Sequence, residues 1–293
     1  MSTKSQKTVI TTILGRPNAG KSTLMNALIK YHLSIITPKV QTTRNILKGI
    51  FTKDDTQFIF LDTPGIFTPQ NKLEQLIVKY AWKSFKGVDA IILLIDSSKP
   101  IDEDLREICR KLHKNFEVII AFNKTDIALP SSELMDEIKG FFPSSKIFNI
   151  SALNKNGVDD LLDCLKEKAT GEKWIYHEDE ISTLPLSFLM AEITREQIFL
   201  QLKQELPYNI TVHNEKYEEA DDGLVYVKQV IIVNRDSHKK IVIGKSGEQI
   251  KKIRERSQEN IEKYLDVKVN LSLFVSVKKW VEGRRCLSYN CLN

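Results

Sequence analysis

Cysteine and histidine are scarce, and that removes two classes at once. Four cysteines, Cys109, Cys164, Cys286 and Cys291, occur in 293 residues, with five histidines. The cysteines show no CxxC spacing and no paired histidines, so neither a zinc site nor a disulfide framework is indicated. Long apolar runs are absent too. The longest, "AIILLI" over 90–95, suits a buried strand and is far too short to span a membrane. The opening "MSTKSQKTVITTILG" has no apolar signal core and no small-residue cleavage site, so an intracellular, cytoplasmic protein is expected. Repeats and low-complexity tracts are also missing. What is there is globular: 42% hydrophobic, 28% charged, and long enough for two domains.

The net charge of +5 comes from 43 basic and 38 acidic residues, and it is unevenly spread. Residues 235–256 alone hold eight Lys or Arg against three Asp or Glu. A local basic patch points to a polyanionic partner more than a diffuse excess would.

To about residue 170, strand-like runs alternate with helical patterns. The strands are "TVITTILG" (8–15), "TQFIFLD" (56–62), "AIILLID" (90–96), "EVIIAFN" (117–123) and "SKIFNIS" (145–151). "STLMNALI" (22–29) and "VDDLLDCLKEKA" (158–169) read as helices. This alternation argues an α/β domain over 1–170, a mostly parallel sheet with helices on both faces and ligands beyond the strand ends. Residues 171–189, polar and unperiodic at first, read as a linker. From 190 to 285 the order is helix, two strands, helices, strand, a smaller α+β domain. A tail over 286–293 follows.

"GRPNAGKS", Gly15 to Ser22, matches G-x-x-x-x-G-K-[ST] between a strand and a helix. Arg16, Pro17, Asn18, Ala19 and Gly20 form the loop whose backbone N–H groups wrap phosphates. Lys21 reaches the β/γ oxygens, Ser22 holds Mg²⁺, and Thr23 enters the helix. "DTPG" follows a strand 40 residues later: Asp62 suits an outer-shell Mg²⁺ ligand, Thr63 and Pro64 make the turn, and Gly65 can offer its N–H to a γ-phosphate. In "NKTD", Asp126 can accept the paired N1–H and N2–H₂ donors of guanine, which adenine lacks. Asn123 can bond the purine edge or brace the loops, and the Lys124 stem can pack over the ring; Thr125, with Thr23, Thr63 and Pro64, is counted among the nucleotide-binding residues. "SAL", Ser151, Ala152 and Leu153, ends the next strand, where its N–H groups could bond guanine O6.

Together with "TTR", these motifs resemble the five G motifs of translation-factor-class GTPases. "GRPNAGKSTLMNAL", "PKVQTTRN" and "LDTPGIF" resemble the Era family closely. The resemblance makes Thr43 the switch threonine that reaches Mg²⁺ and γ-phosphate, with its neighbour Thr42 as the alternative. Lys21, Thr43 and Gly65 are then the catalytic set. Ras-like enzymes carry a water-orienting glutamine after the DxxG glycine; here that position is Ile66, so slow hydrolysis or another device is expected. Asn18 is either a turn-former or, as in several relatives, part of a K⁺ site that supplies positive charge.

"VIGKSGEQIKKI" over 242–253 is a second glycine-lysine-serine stretch, without Walker spacing and without a following carboxylate. Gly244, Lys245, Ser246 and Gly247 fit the GxxG loop of KH domains, which clamps single-stranded nucleic acid backbone. Lys251, Lys252 and Arg254 extend the basic surface, with the next helix N-terminus facing the phosphates. The order around it resembles a type II KH domain, in which "HKKIVI" (238–243) is a short helix although its β-branched residues suggest a strand. The tail "VEGRRCLSYNCLN" departs from the Era ending.

The resemblance implies a monomeric GTPase using GTP/GDP and Mg²⁺. It implies a ribosome-assembly factor that binds the 3′ end of 16S rRNA on the 30S subunit, with peripheral association at the inner membrane face. A GTP-gated module that contacts a protein or membrane instead is the alternative.

Overall fold

The computed structural model describes residues 6–34, 36, 47–66, 87–113, 116–170, 173–202 and 210–278. Thr42, Thr43 and the 286–293 tail lie outside them. The chain divides into two compact units, Met1–Thr183 and Leu184–Asn293.

The first unit is built on a six-stranded sheet in the order β2-β3-β1-β4-β5-β6. Its strands are β1 (Lys7–Gly15), β2 (Leu47–Lys53), β3 (Thr56–Asp62), β4 (Ala90–Asp96), β5 (Val118–Asn123) and β6 (Ile147–Asn149). All neighbours pair in parallel except β2, which runs antiparallel to β3. On one face Ile91, Leu93, Ile95, Val118, Ile120 and Phe122 pack against Leu105, Ile108, Leu134 and Ile138. These last four come from α2 (Glu103–Leu112) and α3 (Ser132–Phe141). The intervening Ile92, Leu94, Ile119 and Ala121 are buried too. A parallel sheet covered on both faces accounts for the unbroken apolar runs. The helices α1 (Lys21–Ile29) and α4 (Val158–Lys166) also belong to this unit.

Two features differ from the expectation. β2, "LKGIFTK", was not expected as a strand: it is an edge strand whose lysines and threonine break the apolar run. The stretch read as a linker is bonded to this unit over 173–182. Gln57, fully buried, accepts from the N–H groups of Ile175 and Tyr176 at 2.9 Å each and donates to the Tyr176 carbonyl at 2.9 Å. Ile50 N–H donates to the Ile181 carbonyl, and the Ser182 hydroxyl to the Lys48 carbonyl. This strap covers backbone groups of an edge strand that would otherwise be open to pairing with another chain.

The second unit contains α5 (Leu186–Gln201), β7 (Thr211–Glu219), β8 (Val225–Val233), α6 (Asp236–Ile243), α7 (Glu248–Leu265) and β9 (Val269–Val277). β7 pairs antiparallel and β9 parallel with the central β8. α5 begins four residues before the expected position, directly after Pro185, which suits a helix entry. Alternate residues Val225, Val227, Ile231 and Val233 of β8 face the helices in two apolar clusters. "HKKIVI" is helical: Val242 turns into the core while Ile241 stays exposed. Packing overrides local β preference there.

Candidate nucleotide and RNA sites

The phosphate loop follows β1 and ends where α1 begins. Gly20 sits at φ 97°, in the left-handed region, and a Cβ there would lie 2.3 Å from the Asn123 amide nitrogen. Only glycine lets the loop pass this close to β5. Asn18 is also left-handed at φ 63°, a conformation asparagine tolerates. Lys21 is buried, and its ammonium donates to the carbonyls of Arg16 at 2.8 Å and Gly15 at 3.2 Å. Burial pushes its pKa down to about 8, against the opposing pull of Asp62. The Ser22 hydroxyl donates to Asp62 Oδ2 at 2.8 Å. A hydroxyl and a carboxylate held together beside phosphate donors suit a hard, oxygen-seeking dication such as Mg²⁺.

The rest of the loop is anchored. The Arg16 guanidinium pairs with Asp102, the N-cap of α2, and with Asp104 at 3.3 Å. Thr63 donates to the Ile13 carbonyl at 2.8 Å, and a Cβ on Gly65 would meet the Pro17 nitrogen at 2.7 Å. The "DTPG" turn therefore packs directly on the phosphate loop. Ile66, at the position of a water-orienting glutamine in Ras-like enzymes, is buried with Leu14 and Phe122. It serves the core, and its N–H bonds the Gly15 carbonyl.

"NKTD" follows β5. Of the two roles open to Asn123, the observed contacts are those of a brace: Nδ2 donates to the Ala19 carbonyl at 2.8 Å, and Oδ1 accepts from Ala152 N–H at 2.9 Å. One side chain thus ties the phosphate loop to "SAL". The Ser151 hydroxyl donates to Asp126 Oδ1 at 2.6 Å, and Thr125 N–H bonds the Ile150 carbonyl. Lys124, left-handed at φ 69°, bonds Asp96 at 2.6 Å. Burial pushes the Asp96 carboxyl up, but hydrogen bonds from Lys124 and Ser98 outweigh it and hold the carboxyl below its usual range. Leu153 is exposed.

In the second unit, Gly244 and Gly247 bracket a single 3₁₀ turn between α6 and α7. Gly244 has φ 76°, and a Cβ there would meet Gln249 Cβ at 2.6 Å. Gly247 has φ 81° and caps α7, but a Cβ there would project into open space. The first glycine is demanded by the fold; the second faces outward, where a ligand backbone could approach. Lys245, Ser246, Lys251 and Lys252 are exposed. Lys251 and Arg254 both lie within 4.0 Å of Glu255, which offsets part of their charge. Among the described residues no acidic partner is found for Lys245 or Lys252.

The two halves match known families separately. Residues 10–124 match the 50S ribosome-binding GTPase family, and residues 205–281 match the KH domain. Over its whole length the chain is 45% identical to GTPase Era of Rickettsia bellii (strain OSU 85-389), with 99% of each chain covered. It is 43% identical to GTPase Era of Ehrlichia ruminantium (strain Gardel), covering 97% of this chain and 98% of the relative. Among solved structures, a variant of Aquifex aeolicus Era bound to GDP and aluminium fluoride superposes with a TM-score of 0.87 at 34% identity, covering 94% and 95% of the chains. Era in complex with MgGDPNP and nucleotides 1506–1542 of 16S ribosomal RNA gives a TM-score of 0.86 at 35% identity, covering 94% of each. A G domain whose phosphate, "DTPG", "NKTD" and "SAL" loops meet among the described residues, followed by a KH domain and matched end to end at this identity, places the chain in the Era family of GTPases.

Proposed function

We propose that this GTPase reads guanine through Asp126, holds Mg²⁺ between Ser22 and Asp62, and carries small-subunit rRNA on its KH unit. The observation that carries the nucleotide half is the Asn123 brace, which joins phosphate loop and "SAL" loop into one site. Asp126, held through Oδ1 by the Ser151 hydroxyl, would keep acceptor lone pairs on its carboxylate oxygens for the N1–H and N2–H₂ donors of guanine. Lys21 would exchange its carbonyl partners for β/γ oxygens, and Gly65 would offer its N–H to the γ-phosphate. Mg²⁺, when bound, neutralises charge on those oxygens. Thr43, or Thr42, would close the site as the switch residue.

No side chain at position 66 can orient the attacking water, so intrinsic turnover should be slow. Asn18 is the candidate for a K⁺ site that offsets this loss. Faster turnover in K⁺ than in Na⁺, abolished in Asn18→Ala, would support it; equal rates would leave Asn18 as a turn residue.

The RNA half is supported by the outward-facing Gly247 and by the exposed Lys245 and Lys252 beside it, which have no acidic partner among the described residues. It is also supported by the solved relative carrying nucleotides 1506–1542 of 16S rRNA. The ligand would be the single-stranded 3′ end of 16S rRNA on the 30S subunit, and the role ribosome assembly switched by GTP hydrolysis. The site of action would be the cytoplasm; inner-membrane association rests on the family resemblance alone. The test is to crosslink the protein in cells and sequence the bound RNA. Recovery of 16S 3′ ends, lost in Gly247→Asp, is expected. Recovery of a protein partner without RNA would favour the GTP-gated module.

A further inference from the structure

The turn that ends β4 carries side chains that none of the G motifs describes. β4 finishes at Asp96, and Ser97 and Ser98 follow. Asp96 is the register partner of Asn123, so the two strand ends lie side by side. The Asp96 carboxylate is buried, at 9% exposure, and both of its oxygens are engaged. Oδ2 accepts from the Lys124 ammonium at 2.6 Å, with Lys99 more distant at 4.0 Å. Oδ1 accepts from the Ser98 N–H at 3.1 Å and its hydroxyl at 2.6 Å. The carboxylate is therefore fixed from one side and holds the lysine from the other.

Ser97 acts on the same loop. Its hydroxyl lies 2.7 Å from the Asn123 carbonyl and 2.6 Å from the Ala128 carbonyl. These two carbonyls stand at the opening and the close of the "NKTD" loop. One hydroxyl proton serves them in turn, while the Ser97 N–H donates to the Asn123 carbonyl at 2.9 Å.

We propose that Asp96 and Ser97 are positioning residues for guanine recognition. Asp96 holds the Lys124 head so that its stem forms one wall of the purine slot, and Ser97 fixes the two ends of the loop that carries Asp126. The inference rests on the base-site reading given above. A long lysine side chain is otherwise free to rotate, and ordering it before the nucleotide arrives removes that cost from binding. A mere fold-stabilising ion pair would lower thermal stability and leave nucleotide release alone.

The experiment measures release of a fluorescent GDP from the full-length protein. Asp96→Asn keeps the size of the side chain but removes the charge that holds the ammonium. It should speed release about tenfold, the scale of a lost charge-assisted hydrogen bond. The preference for GTP over inosine triphosphate, which lacks the 2-amino group, should persist, because Asp126 remains to read that group. Lys124→Met should release GDP as fast, and the double variant no faster than either single one. Asp96→Glu should restore part of the slow release. Ser97→Ala should instead erode the preference for GTP over inosine triphosphate. Wild-type release in Asp96→Asn, or multiplied effects in the double variant, would overturn the proposal. If Lys124→Met itself releases GDP at the wild-type rate, the base-site reading fails; if only Asp96→Asn does, that reading survives and this inference falls.

Discussion

The two glycine-lysine-serine loops of this chain use the same residue types for different ends. In the first, Lys21 is buried and its pKa pushed down to about 8, and Ser22 bonds the buried Asp62. In the second, Lys245 and Ser246 are exposed, and neither bonds a carboxylate among the described residues. Both loops open a helix, so both offer N–H groups to phosphate. The difference lies in burial and in the carboxylate. A buried lysine with a serine–aspartate pair has the chemistry to suit a compact site for a triphosphate and its metal, as proposed for the first loop. An exposed lysine beside an outward-facing glycine would suit a surface along which a chain of phosphates could lie, as proposed for the second. Composition alone does not separate the two.

The sharpest way to break this comparison is to exchange what each loop depends on. Ser22→Ala removes the hydroxyl of the metal pair. GTP turnover should fall by about a hundredfold or more, as for other lost transition-state charge contacts. RNA affinity measured without nucleotide is the control. Turnover that survives both Ser22→Ala and chelation of Mg²⁺ would remove the metal from the first loop.

The next effect belongs to the second loop. Gly247→Asp places a carboxylate where a Cβ meets nothing within 4 Å, so the new side chain enters the path of the RNA. The φ of 81° adds strain that an L residue carries poorly. Affinity for single-stranded RNA should fall by about thirtyfold or more, since a close phosphate contact is replaced by repulsion. Circular dichroism checks that α7, which Gly247 caps, still forms. A folded variant with wild-type affinity would make Gly247 a helix cap and nothing more.

The depressed pKa of Lys21 gives the two loops different responses to pH. Phosphate binds the protonated form, which predominates below about pH 8 and gives way to the neutral amine above it. Nucleotide affinity should therefore be highest below pH 8 and fall as pH rises, by about tenfold per unit beyond it until the bound-state pKa is passed. Isothermal titration of GDP between pH 7 and 9.5 reads this directly. A flat profile would mean that Lys21 keeps its charge despite burial.

How much of this was legible in the sequence follows from burial. β1, β3, β4 and β5 announce themselves as apolar runs because the sheet covers them on both faces. β2 does not, because one edge carries Lys48 and Lys53 and its pairing comes from β3. The strap over 173–182 reads as a linker because its anchor is a glutamine, Gln57, inside a neighbouring strand. Its bonds are to backbone, and backbone bonding leaves no pattern in the strap's own residues. The nucleotide motifs were legible because their spacing is set by chemistry. Asp96 was not, because an acid at a strand end reads as a simple stop, and only the folded loop brings Lys124 to it.

Lys245→Ala should give the smallest effect, and it tests the exposed loop most finely. Lys245 holds one charge on a surface where, among the described residues, Lys252 also lacks an acidic partner and Lys251 and Arg254 are partly offset by Glu255. Losing one of several phosphate contacts should weaken RNA binding by a few-fold, equally for all sequences, because a phosphate contact carries no base information. The plot of log affinity against log salt should flatten by about 0.7, the release of one counterion from a single strand. Lys252→Ala should flatten it as much, whereas Lys251→Ala should flatten it less, since Glu255 already shares its charge. If Lys251 and Lys252 behave alike, the Glu255 contacts do not persist in solution. If none of the three changes the slope, the RNA runs elsewhere on the KH unit, and the likeness between the two loops ends at their residues.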